Sequence, residues 1–145
     1  DLKALPRMVA AIADDGYDVA IGSRLTKGSE VVDRTLKREI TSRGYNFLIH
    51  LFFPLTKWKD AQCGFKAISR RTAEKVLPLV KDNAWFLDTE LLLLAGKAGY
   101  DIKEIPVHWE DDPDTRVKIV STAWEDVKGL LRLRFKGRPV PTSAS

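Results

Sequence analysis

The segment KDAQCGFKAISRR, residues 59–71, places a carboxylate, an amide, the single cysteine, a glycine and an aromatic ring within six consecutive positions. Its second half has the composition of a strand, over residues 64–68, and a short helix is predicted to follow over residues 70–80. A strand that only completed a core would not need Asp60 and Gln62 beside Cys63. We therefore expect the polar start of the segment to hold part of a functional site, with Cys63 packed as a small apolar residue.

The segments on either side of residues 59–71 alternate between helical and extended patterns, which predicts an α/β fold. Helices are predicted up to Gly16 and at residues 34–53, 89–98 and 121–135, with Gly16 and Gly99 as the glycine caps of the first and third of them. A strand is predicted at residues 17–21 and a polar loop at residues 25–33. Residues 102–107 alternate like a strand, and Pro106 predicts that this strand lies at a sheet edge.

Composition limits the classes of protein that the chain can represent. Its 145 residues suit one domain, and 44% hydrophobic with 30% charged residues is not the composition of a disordered chain. A net charge of +4 permits an anionic partner without requiring one. One cysteine excludes an internal disulfide framework. Basic and aromatic residues are not interleaved as in a stacking platform, so no nucleic-acid partner is expected.

A basic stripe is the first candidate for ligand binding. Arg34, Arg38 and Ser42 recur at four-residue spacing and share one face of the predicted helix. Arg24 directly follows a predicted strand, where open α/β sheets present their ligand-binding loops. Arginine offers bidentate donors to a phosphate. A phosphate clamp and a merely solvated helix face are both open interpretations, and the second is the commoner for a charge run.

Acidic residues form the second group of candidates. Asp60 and Gln62 are placed to orient an acceptor or to contact a ligand, and a turn-capping aspartate is the alternative. Asp88 and Glu90 follow an aromatic pair, as carboxylates at sugar sites do, but acids in a first helical turn also favour the helix dipole. Arg116 follows an acidic loop, where it either pairs locally or closes over a diphosphate.

Two further segments are candidates for contact with a membrane surface. Residues 45–55, YNFLIHLFFPL, are more apolar than a surface helix requires, so they either enter the core or reach the lipid headgroups. The last predicted helix combines leucines with Lys128, Arg132 and Arg134, a pattern that suits an anionic membrane surface or a connection to further segments.

Taken together, five motifs resemble one family. DVAIGSR, KREITSRGYN, DAQCGFKAISR, WFLDTELLLLA and IPVHWEDDPDTRV are similar to the C-terminal part of family-2 inverting glycosyltransferases, and especially to the polyprenyl-phosphate sugar synthases. The resemblance implies the C-terminal, acceptor part of a GT-A fold, with a mixed central sheet flanked by helices. It places this part at residues 1–135 and a flexible tail at residues 136–145.

The resemblance also implies roles for individual residues. By this likeness Arg24, Arg38 and Ser42 bind the lipid phosphate of the acceptor, and Asp60 is the catalytic acid near the anomeric carbon, as base or orienter. A second set is expected to contact the donor sugar or its diphosphate: Gln62, Asp88, Glu90 and Arg116.

The activity that the resemblance implies is the transfer of a hexose, glucose rather than mannose, from UDP-glucose or GDP-mannose to a polyprenyl phosphate with inversion. It also implies Mg²⁺ or Mn²⁺ bound by an Asp-x-Asp motif upstream of Asp1, and a location at the cytoplasmic face of a membrane. We expect the chain to be an inactive fragment of such an enzyme when alone. The alternative is a non-catalytic domain that interacts with a partner or with the acceptor lipid.

Overall fold

The computed structural model describes residues 2–33, 35–110 and 119–136, with side chains of the last helix described over residues 124–135. It is a mixed α/β structure with helices packed against a mixed sheet, as expected of the C-terminal part of a GT-A fold. The helices are α1 (Leu5–Ala13), α2 (Leu36–Phe52), α3 (Arg70–Lys75), α4 (Leu87–Lys97) and α5 (Ile119–Lys136). The strands are β1 (Val19–Ser23), β2 (Glu30–Val32), β3 (Lys66–Ile68), β4 (Ile102–Pro106) and β5 (His108–Glu110).

Strand β1 is the centre of the main sheet, whose order is β3-β1-β4. It pairs antiparallel with β3 and parallel with β4, and all five of its residues are buried. Alternate residues face opposite layers. Val19 and Ile21 pack into the larger core with α4 and α5, whereas Ala20 packs against Met8 and the other core residues of α1. Among the described residues β4 lies at a sheet edge, as Pro106 predicts.

A second, two-stranded sheet pairs β2 with β5 in parallel, with Val31 opposite Trp109. The prediction of a loop throughout residues 25–33 is therefore wrong. The reason is physical: a strand of three residues carries almost no periodicity of its own, and β2 is extended because it pairs with a segment far along the chain.

Several predicted boundaries also differ from the structure. Strand β1 begins two residues later than expected and continues to Ser23. The helix predicted over residues 70–80 is α3 followed by a separate 3-10 turn, Leu77–Leu79, because Pro78 at its centre has no N–H for an α-helical bond. Gly16 and Gly99 have positive φ angles after α1 and α4, which confirms the predicted glycine caps.

Helix α2 resolves the alternatives for residues 45–55. Its inner face is core, with Tyr45, Ile49 and Phe53 buried. Its outer face carries an exposed apolar row that continues past the end of the helix, and Leu51 on this row is 64% exposed. Consecutive residues of the row lie four or seven positions apart: Leu36, Ile40, Phe47, Leu51 and Leu55.

The packing of α5 accounts for part of its apolar and basic pattern, and the membrane contact expected of this helix stays a prediction. Leu130 and Leu133 are buried in the main core, and α5 contacts both α2 and α4. Two of its basic residues are paired with acids, Arg132 with Glu90 and Lys128 with Glu125. The outward side of α5 still carries exposed apolar residues, since Trp124 and Phe135 are 61% and 75% exposed.

Gly129 allows this close packing, and its replacement tests the α4–α5 contact. A Cβ atom at position 129 would lie 2.5 Å from the ring of Phe86. We expect Gly129→Ala to lower the free energy of unfolding by about 1–3 kcal/mol, because the buried ring has to shift. Urea unfolding measures the difference.

Gly44→Ala is the matched control, because Gly44 is also inside a helix but a Cβ atom added there would meet nothing within 4 Å. We expect it to be neutral or to stabilise by up to about 1 kcal/mol. Equal effects at the two positions would contradict the packing argument.

Candidate functional site

The centre of the site is a buried ion pair between Arg24 and Asp60. Arg24 follows the last residue of β1, at the carboxyl end of the central strand. Its Nε donates to Asp60 Oδ2 at 2.8 Å, and its Nη2 donates to Oδ1 at 2.9 Å. The backbone N–H of Arg24 also donates to Oδ2, at 3.0 Å. Asp60 is 0% exposed, so a bidentate partner is what makes its ionised form tolerable there.

The loop that carries Asp60 is fixed through its backbone by two other elements. Glu104 on β4 accepts hydrogen bonds from the N–H groups of Lys59 and Asp60, at 2.9 and 3.3 Å. Asn46 on α2 accepts from the N–H of Ala61 at 3.1 Å. The segment DAQCGFK is thus held from β1, β4 and α2 at once, and sequence reasoning missed both Glu104 and Asn46.

These contacts decide the protonation of Asp60. Burial alone would raise its pKa, but the hydrogen bonds and charge of Arg24, with the N–H of Gln62, outweigh burial and hold the pKa below its ordinary value. The ionised pair therefore stabilises the fold at neutral pH, and this contribution is lost as the pH falls through the lowered pKa. A carboxylate with a low pKa and occupied lone pairs is a weak general base.

A residue of β5, Trp109, also covers Arg24. Its guanidinium lies 5.4 Å from the centre of the Trp109 ring, within the range of a cation–π contact. Gly22, two residues earlier, leaves room for the loop: a Cβ there would lie 2.8 Å from Val107 Cγ1 and 3.2 Å from Cys63 Sγ. Cys63 is buried, as predicted, and burial raises the pKa of its thiol.

Asp88 is linked to the same loop by Lys66. The Lys66 ammonium lies 2.9 Å from Asp88 Oδ1 and also donates to the carbonyl oxygen of Cys63. Lys66 is largely buried, whereas Asp88 is partly exposed. The structure thus joins Asp88, which is predicted to contact the donor, to the loop that carries Asp60. Sequence reasoning missed Lys66, although its position inside the DAQCGFK motif could have indicated it.

Glu90 has a different environment from Asp88. It is 1% exposed, and its Oε2 accepts from Arg132 at 2.7 Å and from the N–H groups of Lys81 and Asp82 at 3.1 and 2.9 Å. This carboxylate ties α4 to α5 and to the segment before α4. The geometry therefore gives Glu90 a structural role, and its predicted contact with a donor sugar stays a prediction.

Three further residues are predicted to bind ligand: Arg38, Ser42 and Arg116. Arg38 and Ser42 lie on α2, where the N–H of Arg38 donates to the Thr35 cap. The Ser42 hydroxyl is buried and has no hydrogen-bond partner among the described residues. Arg116 lies outside the described residues, as does most of the predicted tail.

Gln62 reaches an acid that sequence reasoning did not single out. Its Nε2 donates to Asp126 Oδ2 on α5 at 3.1 Å, while its backbone N–H donates to Asp60 Oδ1 at 3.3 Å. Asp126 is buried, and burial together with the negative charge of Asp82 raises its pKa to about 6.

The described residues contain no group of three histidine, cysteine, aspartate or glutamate side chains that could hold a metal ion. The metal expected from the resemblance therefore has no ligand set within these residues.

The motifs that carry Arg24, Asp60 and Asp88 are those on which the resemblance to polyprenyl-phosphate sugar transferases rests, and comparison with curated proteins confirms that the chain is related to this class. It is 43% identical over 130 residues, 90% of its length, to glycosyltransferase AglD of Haloferax volcanii. It is 28% and 30% identical to the dolichyl-phosphate beta-glucosyltransferases of Dictyostelium discoideum and Saccharomyces cerevisiae, over 94% and 81% of its length.

The chain spans only part of these relatives: 20% of the Haloferax protein, 42% of the Dictyostelium protein and 35% of the yeast protein. No protein-family model matches the chain.

The Arg24–Asp60 pair is tested by removing one partner. We expect Arg24→Ala to lower the free energy of unfolding by about 3–5 kcal/mol, because it leaves a buried carboxylate without its counter-charge. Arg70→Ala is the control: Arg70 is also paired with an acid, Glu74, but is 92% exposed, so a change within about 0.5 kcal/mol is expected. Equal, small losses in the two variants would refute the stabilising role of the pair.

Proposed function

We propose that the protein containing this chain transfers a hexose from a nucleotide sugar to a polyprenyl phosphate, with inversion at the anomeric carbon. The observation that carries the proposal is the similarity to a glycosyltransferase and to dolichyl-phosphate beta-glucosyltransferases over 81–94% of the chain. Those names favour glucose as the sugar and a dolichyl-type phosphate as the acceptor. Mg²⁺ or Mn²⁺, with ligands upstream of Asp1, is part of the proposal.

The reaction forms a bond between an acceptor phosphate oxygen and the anomeric carbon, while the bond to the nucleoside diphosphate breaks. The attacking phosphate is already anionic at neutral pH, so it needs little help from a base. Positioning and neutralisation of two phosphates are then the main demands on the protein.

This chemistry suits the environment of Asp60. The carboxylate is buried, ion-paired and of lowered pKa, so it is better suited to orienting Arg24 than to taking a proton. In our proposal Arg24 and Arg38 contribute positive charge toward the acceptor phosphate, Ser42 contributes a hydroxyl, and Asp60 acts through Arg24.

A membrane surface is the proposed location, at its cytoplasmic face, because the acceptor lipid resides in a bilayer. None of the described helices is long and apolar enough to cross a bilayer. The exposed apolar row on α2 offers a surface contact instead, and it lies on the helix that also carries Arg38. An exposed face of apolar side chains on a helix suits contact with a membrane interface.

Arg38→Ala in the full-length protein tests the acceptor assignment. We expect the KM for polyprenyl phosphate to rise roughly tenfold, as for one lost charge-assisted contact, while the KM for the nucleotide sugar stays the same. Formation of radiolabelled lipid-linked hexose measures both. Arg70→Ala is the matched control. An unchanged acceptor KM in Arg38→Ala would sink the assignment, and lipid binding without any transfer by the unmutated protein would favour the non-catalytic alternative.

Leu51→Glu tests the membrane contact. We expect it to reduce co-sedimentation with anionic liposomes several-fold, because a carboxylate at an interfacial apolar position opposes insertion and is repelled by anionic lipid. Leu2→Glu is the control, since Leu2 is as exposed as Leu51 but lies outside α2. Equal losses in both variants, or none in Leu51→Glu, would exclude α2 as the contact surface.

A further inference from the structure

Asp126 occupies a costly position that the fold does not explain. It is buried on α5, and its Oδ1 has no hydrogen-bond partner among the described residues. Most buried carboxylates are paired with a cation, because an unpaired charge loses its hydration without compensation. An apolar residue or an asparagine would fill this position at lower cost.

The groups that face Asp126 make its charge less favourable. Asp82, from the segment before α4, and Glu125, on α5 itself, are both negative and raise its pKa, and Tyr45 approaches from α2. The basic residues of α5 nearby are committed elsewhere, Arg132 to Glu90 and Lys128 to Glu125.

The one hydrogen bond that Asp126 accepts comes from the Gln62 side chain, at 3.1 Å. An ionised carboxylate can only accept hydrogen bonds, so it holds the NH₂ end of the amide. The carbonyl end of the Gln62 side chain is then turned away from Asp126. A protonated carboxyl or an asparagine can donate as well as accept, so neither fixes the amide in one orientation.

We propose that Asp126 is a positioning residue of the candidate site, which holds the NH₂ end of Gln62 so that the Gln62 amide oxygen is left for a hydroxyl of the donor sugar. This inference rests on the proposed function. It adds α5 to the elements that build the site. Asp126 lies on α5, and Gln62, which it holds, also donates its backbone N–H to Asp60.

Ionised Asp126 is expected to lower the stability of the fold while it favours the orientation of Gln62 that the site needs. Its pKa is raised in the folded protein, so its ionisation costs stability as the pH rises from the unfolded value of about 4 to about 6. Asp126→Asn removes that cost and keeps the shape of the side chain. The variant should therefore be at least as stable as the unmutated protein at pH 7.5, while it loses the fixed orientation of Gln62.

Steady-state kinetics of the full-length protein at pH 7.5 separate positioning from packing. We expect Asp126→Asn to raise the KM for the nucleotide sugar roughly fivefold to tenfold, about the worth of one hydrogen bond, with the KM for polyprenyl phosphate unchanged. In a Gln62→Ala background the same substitution should have no further effect. Glu125→Gln, the same chemical change at the exposed neighbouring residue, is the control. An unchanged donor KM, or an equal rise in the Gln62→Ala background, would overturn the proposal.

Nuclear magnetic resonance of the Gln62 side-chain amide in the 145-residue chain gives an independent readout. Its signals should titrate with a midpoint near pH 6 in the unmutated chain and at a lower pH in Glu125→Gln, because the charge of Glu125 raises the pKa of Asp126, and they should not titrate in Asp126→Asn. Absence of hexose transfer by the unmutated full-length protein would refute the proposed function. A Gln62 amide that is insensitive to Asp126 would refute the positioning role, whatever the enzyme assay shows.

Discussion

The buried carboxylate of Asp60 is paired with the guanidinium of Arg24, and this ion pair joins the end of β1 to the loop before β3. Removing one partner of such a pair costs several kcal/mol, so Arg24 has to stand where β1 ends and the DAQCGFK loop has to pass beside it. Glu104 and Asn46 then hold the loop backbone from β4 and α2. The close passage is possible because Gly22 leaves no side chain between the strand and the loop. Sheet, loop and helix are thus arranged around one ion pair.

The acids of the site show how one residue type acquires several roles from its surroundings. Asp60 is buried and paired with arginine, Asp88 is partly exposed and paired with Lys66, and Glu90 is buried between α4 and α5. Asp126 is buried without a cation of its own among the described residues. Only the environment distinguishes them, through burial, opposite charge and hydrogen bonding. Helix α5 takes part twice, through the Arg132 contact to Glu90 and through Asp126.

The features that sequence could predict are those encoded locally. The helices follow from apolar periodicity, and the glycine caps at Gly16 and Gly99 follow from the need for a positive φ. Interactions between distant segments could not be predicted in this way. The Glu104 bond to Lys59 spans 45 residues and the Arg132 bond to Glu90 spans 42, so nothing near Glu104 or Arg132 announces its partner. For the same reason the sequence pattern predicts a loop where the short strand β2 pairs with β5. The sequence singles out Arg24, Asp60 and Gln62 individually as candidate site residues, but their mutual contacts could not be predicted.

The pairing of β2 with β5 gives Arg24 two unequal sides. On one side it is bound by Asp60 of the DAQCGFK loop, and on the other it faces Trp109, the middle residue of β5 in a ladder of three residues per strand. Short peripheral ladders open locally at a lower free energy than a central strand does. Local opening of β5 would withdraw the indole ring while both carboxylate contacts of the guanidinium persist. The orientation of the Arg24 guanidinium is therefore set by Asp60, whereas its exposure to an anion depends on whether β5 stays paired with β2.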